Sequence, residues 1–300
     1  MRSSVCAVAF FIFGSIFSSE VLIITHVCCR TDFLEIQVKT FKKFLKDDYE
    51  FVVFNDASDM NLHQQINLVC KNYGIQSVDV PQEIHVRPYL QRWSGENKNN
   101  PSVRHSNCIM YSLHTVGFKY DGIVLLLDSD MFLTKPFSVS AFMNGYDLAG
   151  TLRSNARGVD FLWPGLAFMD MRRMPNKETI NWNCGRINNT SVDTGGHTYH
   201  YLRDNANICV RNFGCLHNHQ LLCDMCKKTN NYLCTHNLKS LNNNNFDERT
   251  INFLRAGVPN IEFLCYNNFL HVRRGSWARE RNKEFKCDLI LKYMDEIINS

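Results

Sequence analysis

The stretch GIVLLLDSDMFL, residues 122–133, carries the strongest strand pattern of the chain. Its five consecutive apolar residues, 123–127, predict a strand covered on both faces, because such runs are typical of parallel sheets flanked by helices. The run ends abruptly in Asp128-Ser129-Asp130. On an extended strand end, residues two apart project to the same side, so we expect the carboxylates of Asp128 and Asp130 to lie next to each other.

Two neighbouring carboxylates offer hard oxygen ligands of the kind that Mg²⁺ and Mn²⁺ prefer. The alternative is a helix cap or a surface turn, in which Asp-Ser-Asp is also common. The position favours the metal site, because a charge pair at the mouth of a buried strand is costly unless something binds it. The sequence therefore predicts a divalent cation at Asp128 and Asp130, with open positions for phosphate oxygens and water.

Strand and helix patterns alternate along the chain. Strands are predicted at residues 21–27, 51–54, 75–80, 122–127, 165–171 and 261–265, and helices at residues 32–45, 61–72, 101–116, 247–256 and 284–298. This alternation predicts an α/β fold with a mixed, mostly parallel sheet flanked by helices. Ligands bind such sheets at the carboxyl ends of the strands, so Asp56, which follows the second strand, is expected at the same edge as Asp128.

The composition is that of a globular protein: 45% of the 300 residues are apolar and 21% are charged. These values exclude a disordered chain. The formal net charge of +4 is too small to indicate a general nucleic-acid binder. We predict one domain over residues 20–300, interrupted by an insertion rich in Cys, His and Asn at residues 205–246.

The N-terminus has the pattern of a secretory signal. Arg2 precedes the stretch 5–17, which is apolar apart from Gly14 and Ser15. We predict that residues 1–19 are a signal peptide or a short membrane anchor, which implies the secretory pathway or a membrane. The alternative is a cytoplasmic protein in which this stretch is a buried element of the fold. Two overlapping N-glycosylation sequences that start at Asn188 and Asn189 fit the secretory route.

The chain has 13 cysteines, an odd number and high for a cytosolic enzyme. Several lie between Cys209 and Cys234, and Cys223 and Cys226 have the spacing of zinc ligands. In a reducing compartment these residues would hold a structural Zn²⁺, and in the secretory pathway they would form disulfides. Free thiols are the third interpretation, and the sequence leaves all three open.

Residues 122–133 resemble the DxD strand of nucleotide-sugar-dependent glycosyltransferases with the glycosyltransferase-A fold. Further segments resemble parts of that fold in the same order: residues 21–45 and 51–56 its nucleotide-binding half, 101–107 the helix that approaches the donor, 163–170 the acceptor-side strand, and 271–277 a C-terminal motif with a metal-binding histidine. The resemblance covers about residues 21–277, and the Cys-rich insertion departs from it.

The resemblance implies that Asp128, Asp130 and His271 hold Mn²⁺ or Mg²⁺, which binds the donor diphosphate and neutralises charge on the leaving nucleotide. The donor-binding residues that it implies are Asp56, Arg104, Asn107, Arg273 and Arg274. The acceptor-side residues are Trp163, Gly165, Gly195 and Gly196. The implied partners are a nucleotide-diphosphate-sugar donor and an acceptor glycan, protein or lipid, without nucleic acid.

Asp193 is the predicted catalytic residue. It precedes Gly195 and Gly196, and such a turn can hold a carboxylate exposed beside a substrate. In an inverting enzyme this carboxylate would be the general base that deprotonates the acceptor hydroxyl. A plain turn is the alternative.

Three other functions stay open at this point. A haloacid-dehalogenase-type phosphohydrolase also uses Asp-x-Asp after an apolar strand, but that family prefers Thr or Val at the position of Phe132. A nucleotidyltransferase would share the donor-binding half, although no Gly-rich basic loop follows the first strand. The third is a non-catalytic binding protein on a degenerate transferase fold.

Overall fold

The computed structural model describes residues 19–86, 100–154, 158–217, 246–256, 261–273 and 283–300. The predicted signal or anchor, apart from Ser19, and most of the predicted insertion lie outside these ranges. Within them, no helix combines the length and the apolar character that a membrane crossing requires.

The first half of the chain alternates strands and helices as predicted. Its elements are β1 (Val21–Val27), α1 (Thr31–Phe44), β2 (Tyr49–Asn55), α2 (Met60–Tyr73), β3 (Gln76–Asp79), a short 3-10 helix (Gln82–His85), α3 (Pro101–Thr115) and β4 (Ile123–Asp128). Arg30 occupies the cap position of α1, and Asp32 lies in the first turn and pairs with Arg30. Helix α2 ends at Gly74, whose φ of 67° is readily adopted by glycine.

The second half contains shorter elements. They are β5 (Met131–Leu133), α4 (Val139–Met143), β6 (Leu148–Ser154), β7 (Asp160–Asp170), β8 (Gly185–Ile187), β9 (Thr190–Val192), α5 (Thr198–Asp204), β10 (Val210–Asn212), β11 (Cys215–His217), α6 (Glu248–Arg255), β12 (Ile261–Leu264), β13 (Phe269–Val272) and α7 (Lys283–Asn299). Asn188 and Asn189 form the exposed two-residue turn between β8 and β9, and both have the positive φ that such hairpins favour.

The main sheet has the strand order β10-β6-β7-β4-β1-β2-β3. Strands β4, β1, β2 and β3 are parallel, β10 is parallel to β6, and β7 runs antiparallel to both of its neighbours. This confirms the predicted mixed, mostly parallel sheet. The two faces of β1 pack on different helices, since Val21 and Ile23 share a core with α1 whereas Leu22 and Ile24 share one with α3.

A second sheet brings the C-terminal part of the chain to the end of β4. Its order is β11-β12-β13-β5, and all of its pairs are antiparallel. His271 of β13 lies opposite Met131 of β5, the residue after Asp130. The described start of the predicted insertion contributes β10 to the main sheet and β11 to this one, so these residues belong to the framework of the domain.

Candidate metal and donor site

The turn at Asp128–Asp130 is held by hydrogen bonds from helix α1. Asp128 is the last residue of β4, and Ser129 and Asp130 form a turn instead of continuing the strand as expected. The buried side chain of Gln37 donates hydrogen bonds to the carbonyl oxygens of Asp128 (2.8 Å) and Met131 (3.0 Å). The two carboxylates therefore come together through a clamped turn and not through strand alternation.

The structure brings together the three predicted metal ligands. One ligand atom each of Asp128, Asp130 and His271 lies within 4.8 Å of the others. His271 Nε2 is 3.4 Å from Asp130 Oδ1, and its Nδ1 is 3.1 Å from Oε2 of the buried Glu262. Two carboxylates with an imidazole, whose second nitrogen is held by another carboxylate, form a donor set that fits Mn²⁺ or Mg²⁺.

The electrostatics of this metal triad are strongly coupled. Burial alone would lower the pKa of His271, but the hydrogen bond and charge of Asp130, assisted by Glu262, raise it to about 10. Burial alone would raise the pKa of Asp128, but His105 and His271 lower it overall. The triad thus holds a proton that a cation would have to displace, as is general for metal ligands.

Gly165 makes room for the triad. It lies on β7 next to Leu166, which pairs with Leu127, and so stands beside Asp128. A Cβ atom at this position would lie 2.7 Å from Asp128 Oδ2 and 2.1 Å from the Trp163 ring. The bare backbone of Gly165 therefore lets the carboxylate and the indole approach each other.

His105 of α3 lies in the site and was not predicted from the sequence. Its Nε2 lies 3.2 Å from Asp128 Oδ1, and it is partly exposed. Burial alone would lower the pKa of His105, but Asp128 raises it overall. Ser102 lies one helical turn earlier on the same face. That spacing, in a helix already expected to approach the donor, is the signal that could have identified His105.

Asp193 is joined to the triad through other side chains. Half of its side chain, 51%, is exposed, and Arg153 Nη1 lies 3.8 Å from its carboxylate. Ser102 Oγ donates a 2.7 Å hydrogen bond to Asp193. The Arg153 guanidinium lies 4.9 Å above the Trp163 ring, which is in turn 5.1 Å from the His271 ring. A continuous set of contacts thus joins Asp193 to the metal triad.

Gly195 and Gly196 follow Asp193 closely in the chain, and both are buried. Gly195 has a φ of +87°, and a Cβ atom there would lie 2.0 Å from the Leu162 carbonyl oxygen. A Cβ atom at Gly196 would lie 2.2 Å from Val192 Cγ2. The two glycines let the turn pack against β7 and its neighbours while the Asp193 side chain stays exposed.

On the other side of β1, Asp56 is buried among partners. Its Oδ1 lies 2.7 Å from His85 Nε2, and its Oδ2 accepts a 2.9 Å hydrogen bond from Arg104. Burial alone would raise the pKa of Asp56, but His85 and Arg104 lower it overall. Asn107 is also buried, and its Nδ2 donates to the Ile84 carbonyl oxygen at 3.3 Å. Two predicted donor-binding residues, Asp56 and Arg104, therefore contact each other.

The predicted basic residues near the C-terminus are only partly described. Arg273 Nε lies 2.8 Å from Glu262 Oε1, so it pairs with the same carboxylate that holds His271. Arg274 lies outside the described residues. Cys209 is an exposed free thiol just before β10, and the predicted zinc or disulfide cluster beyond residue 217 also lies outside them.

No protein-family model matches the chain, and no curated protein matches it. Solved structures with a similar fold include a mannosyltransferase from Pyrobaculum calidifontis in complex with GDP-mannose and Mn²⁺ (11% identity, 66% of this chain and 55% of that one, TM-score 0.40). Glucosyl-3-phosphoglycerate synthase from Mycobacterium tuberculosis, in complex with Mn²⁺ and UDP-glucose, is 10% identical, with 65% of this chain and 68% of that one covered and a TM-score of 0.37. A mannosyltransferase from Saccharomyces cerevisiae is 12% identical, with 54% of this chain and 59% of that one covered and a TM-score of 0.35. The chain thus spans little more than half of the two mannosyltransferases.

Proposed function

We propose that this protein is a metal-dependent glycosyltransferase that moves a sugar from a nucleotide-diphosphate-sugar donor to an acceptor hydroxyl. The observation that supports the proposal is the convergence of Asp128, Asp130 and His271 at the carboxyl edge of the sheet, with the half-exposed Asp193 joined to them through Arg153 and Trp163. The three metal ligands alone would fit a simple cation site equally well, and Asp193 alone would fit a plain surface turn.

Asp128, Asp130 and His271 would hold Mn²⁺ or Mg²⁺, and the bound cation would offset charge that develops on the leaving diphosphate. The other residues position these ligands. Glu262 holds the His271 ring through Nδ1, and His105 holds the Asp128 carboxylate. Such outer partners fix the orientation of the ligands before the donor arrives.

Asp193 would accept the proton of the acceptor hydroxyl. Its carboxylate is exposed enough to reach an acceptor, and the hydrogen bond from Ser102 fixes its direction. The buried Trp163 ring lies under the Arg153 guanidinium and would hold it beside Asp193 on the acceptor side. The acceptor would be a glycan, a protein or a lipid that the chain meets in the secretory pathway or at a membrane.

The donor nucleoside would extend from the triad towards the β2 side. One strand, β1, separates Asp128 from Asp56, since both β4 and β2 pair with it. Arg104, which binds Asp56, reaches solvent with 31% of its side chain exposed. We therefore assign Arg104 to the donor and regard Asp56 as the residue that holds it.

The test is a thermal-unfolding screen of nucleotide-diphosphate sugars with and without Mn²⁺. A donor at 100 times its dissociation constant should stabilise the native state by about 2.7 kcal/mol. The donor so identified is then used to measure transfer to simple sugar acceptors. If no nucleotide sugar stabilises the protein in the presence of Mn²⁺, the proposal is wrong.

Asp193→Asn tests the catalytic step separately. We expect kcat to fall about 100- to 10,000-fold, because a general base contributes about that much, with donor stabilisation unchanged. Asp121→Asn, an exposed site just before β4, serves as the control. A variant that transfers sugar at the parent rate would remove Asp193 from the mechanism. Donor binding without any transfer in the parent would instead favour the non-catalytic binding protein.

A further inference from the structure

A second cluster of metal-ligating side chains lies outside the triad. One ligand atom each of Asp56, His85 and Cys108 lies within 4.8 Å of the others. The three residues come from the end of β2, the short 3-10 helix and α3. All three are buried, with exposed fractions of 6%, 3% and 1%.

The two oxygens of Asp56 have different partners. Oδ1 lies 2.7 Å from His85 Nε2 and also accepts a 3.2 Å hydrogen bond from Gln82 Nε2. A carboxylate oxygen of Asp56 lies within 4.8 Å of Cys108 Sγ. Oδ2 is taken by Arg104. A carboxylate that ligates a cation through one oxygen and accepts a hydrogen bond on the other is the usual arrangement in protein metal sites.

Two buried polar atoms beside the cluster form no hydrogen bond within the described part of the chain: His85 Nδ1 and Asn107 Oδ1. They are neighbours in the fold, since Asn107 precedes Cys108 and its Nδ2 bonds the carbonyl oxygen of Ile84. When a histidine ligates a metal through Nε2, its Nδ1 carries the proton and needs an acceptor. Asn107 Oδ1 is an acceptor without a partner on the neighbouring helix, and in this structure no hydrogen bond joins it to His85 Nδ1.

We propose that Asp56 Oδ1, His85 Nε2 and Cys108 Sγ form a zinc site distinct from the Asp128–Asp130–His271 triad. A set of one oxygen, one nitrogen and one sulfur suits Zn²⁺, whereas Mg²⁺ and Mn²⁺ prefer oxygen. On binding, the thiol proton of Cys108 leaves to solvent and the imidazole proton moves from Nε2 to Nδ1. No electron is transferred.

Tetrahedral binding of Zn²⁺ at this site requires a small movement of His85. With zinc–ligand distances of about 2.0–2.1 Å and tetrahedral angles, the nitrogen and the carboxylate oxygen would lie about 3.3 Å apart. The present separation of 2.7 Å must therefore open by about 0.6 Å. A bound Zn²⁺ would tie the 3-10 helix to β2 and α3, and the inference does not rest on the transferase proposal.

The test uses Co²⁺ as a spectroscopic substitute for Zn²⁺ on the full chain, kept reduced with a phosphine. Thiolate ligands give Co²⁺ a near-ultraviolet charge-transfer band that carboxylates do not. We expect Cys108→Ser to bind one Co²⁺ fewer per chain than the parent and to lose the corresponding absorption. Cys70→Ser, another buried free cysteine on α2, is the matched control and should behave like the parent. The comparison between these variants removes any contribution of the other cysteines.

Asp130→Asn should leave this band unchanged, which separates the zinc site from the triad. If Cys108→Ser fails to fold, His85→Gln provides the measurement, and its affinity for Zn²⁺ at the site should be at least tenfold lower than that of the parent. Equal Co²⁺ stoichiometry and absorption in the Cys108→Ser and Cys70→Ser proteins would overturn the proposal. So would an unchanged zinc affinity in His85→Gln. No donor sugar is present, so failure here is distinct from failure of the transferase proposal.

Discussion

The two clusters at the carboxyl edge of the sheet lie on either side of β1 and differ in how their charges are balanced. Asp128 and Asp130 stand side by side, and Asp128 still reaches solvent with 19% of its side chain exposed. Asp56 is a single carboxylate enclosed by Arg104 and His85. The paired carboxylates of the triad favour a bound cation and its substrate. The single carboxylate of Asp56, between a cationic and an imidazole partner, ties together β2, α3 and the 3-10 helix, which are the elements that the proposed Zn²⁺ would also join.

Helix α3 reaches both clusters. His105 contacts Asp128, and Cys108, three residues later, lies within 4.8 Å of a carboxylate oxygen of Asp56. Residues three apart are neighbours on a helix surface, so one turn of α3 spans the distance between the two sites. We expect substitutions in the triad to lower the transfer rate, and substitutions around Asp56 to lower the free energy of unfolding.

The largest effect is expected for Asp130→Asn. Removing one of the paired carboxylates should lower Mn²⁺-dependent transfer about 1,000-fold or more, which corresponds to about 4 kcal/mol in the barrier. The measurement is the initial transfer rate at saturating donor, with Asp121→Asn as the control. A rate within tenfold of the parent would contradict the metal assignment.

For Asp56→Asn we expect the main effect to be on stability and not on the transfer rate. Its charge is the partner of Arg104 and His85, and breaking a buried ion pair costs about 3–5 kcal/mol. Because Arg104 is partly exposed, we expect a loss of about 2–3 kcal/mol in the free energy of unfolding, measured with urea. Asp79→Asn, which breaks the exposed pair with His63, should cost less than about 1 kcal/mol. Equal losses in both variants would remove the distinction between the clusters.

A smaller effect is expected for Gly165→Ala. The new Cβ atom would push the Trp163 ring and the Asp128 carboxylate apart, and a misplacement of this size lowers rates about 10- to 100-fold. The transfer rate is compared with that of Gly214→Ala, where a Cβ atom meets nothing within 4 Å. Two variants with the same rate would show that the spacing around Asp128 is not critical.

The sequence predicted the order of strands and helices well, because apolar runs such as residues 123–127 report burial directly. It also placed Asp128 and His271 in one site through the family resemblance. It did not predict His105 or His85, since their contacts with Asp128 and Asp56 depend on how α3 and the 3-10 helix pack on the sheet. Periodicity describes one element at a time and carries no information about such pairings.

The hydrogen bonds of Gln37 have a consequence for the thermodynamics of cation binding. Because this buried amide already fixes the turn at both Asp128 and Met131, the chain has little disorder left to lose there when a cation arrives. Binding heat should then come mainly from exchanging the water shell of the ion for carboxylate oxygens, with a small change in heat capacity. The entropy cost of ordering the turn is met during folding, when α1 packs against the sheet, and not during cation binding.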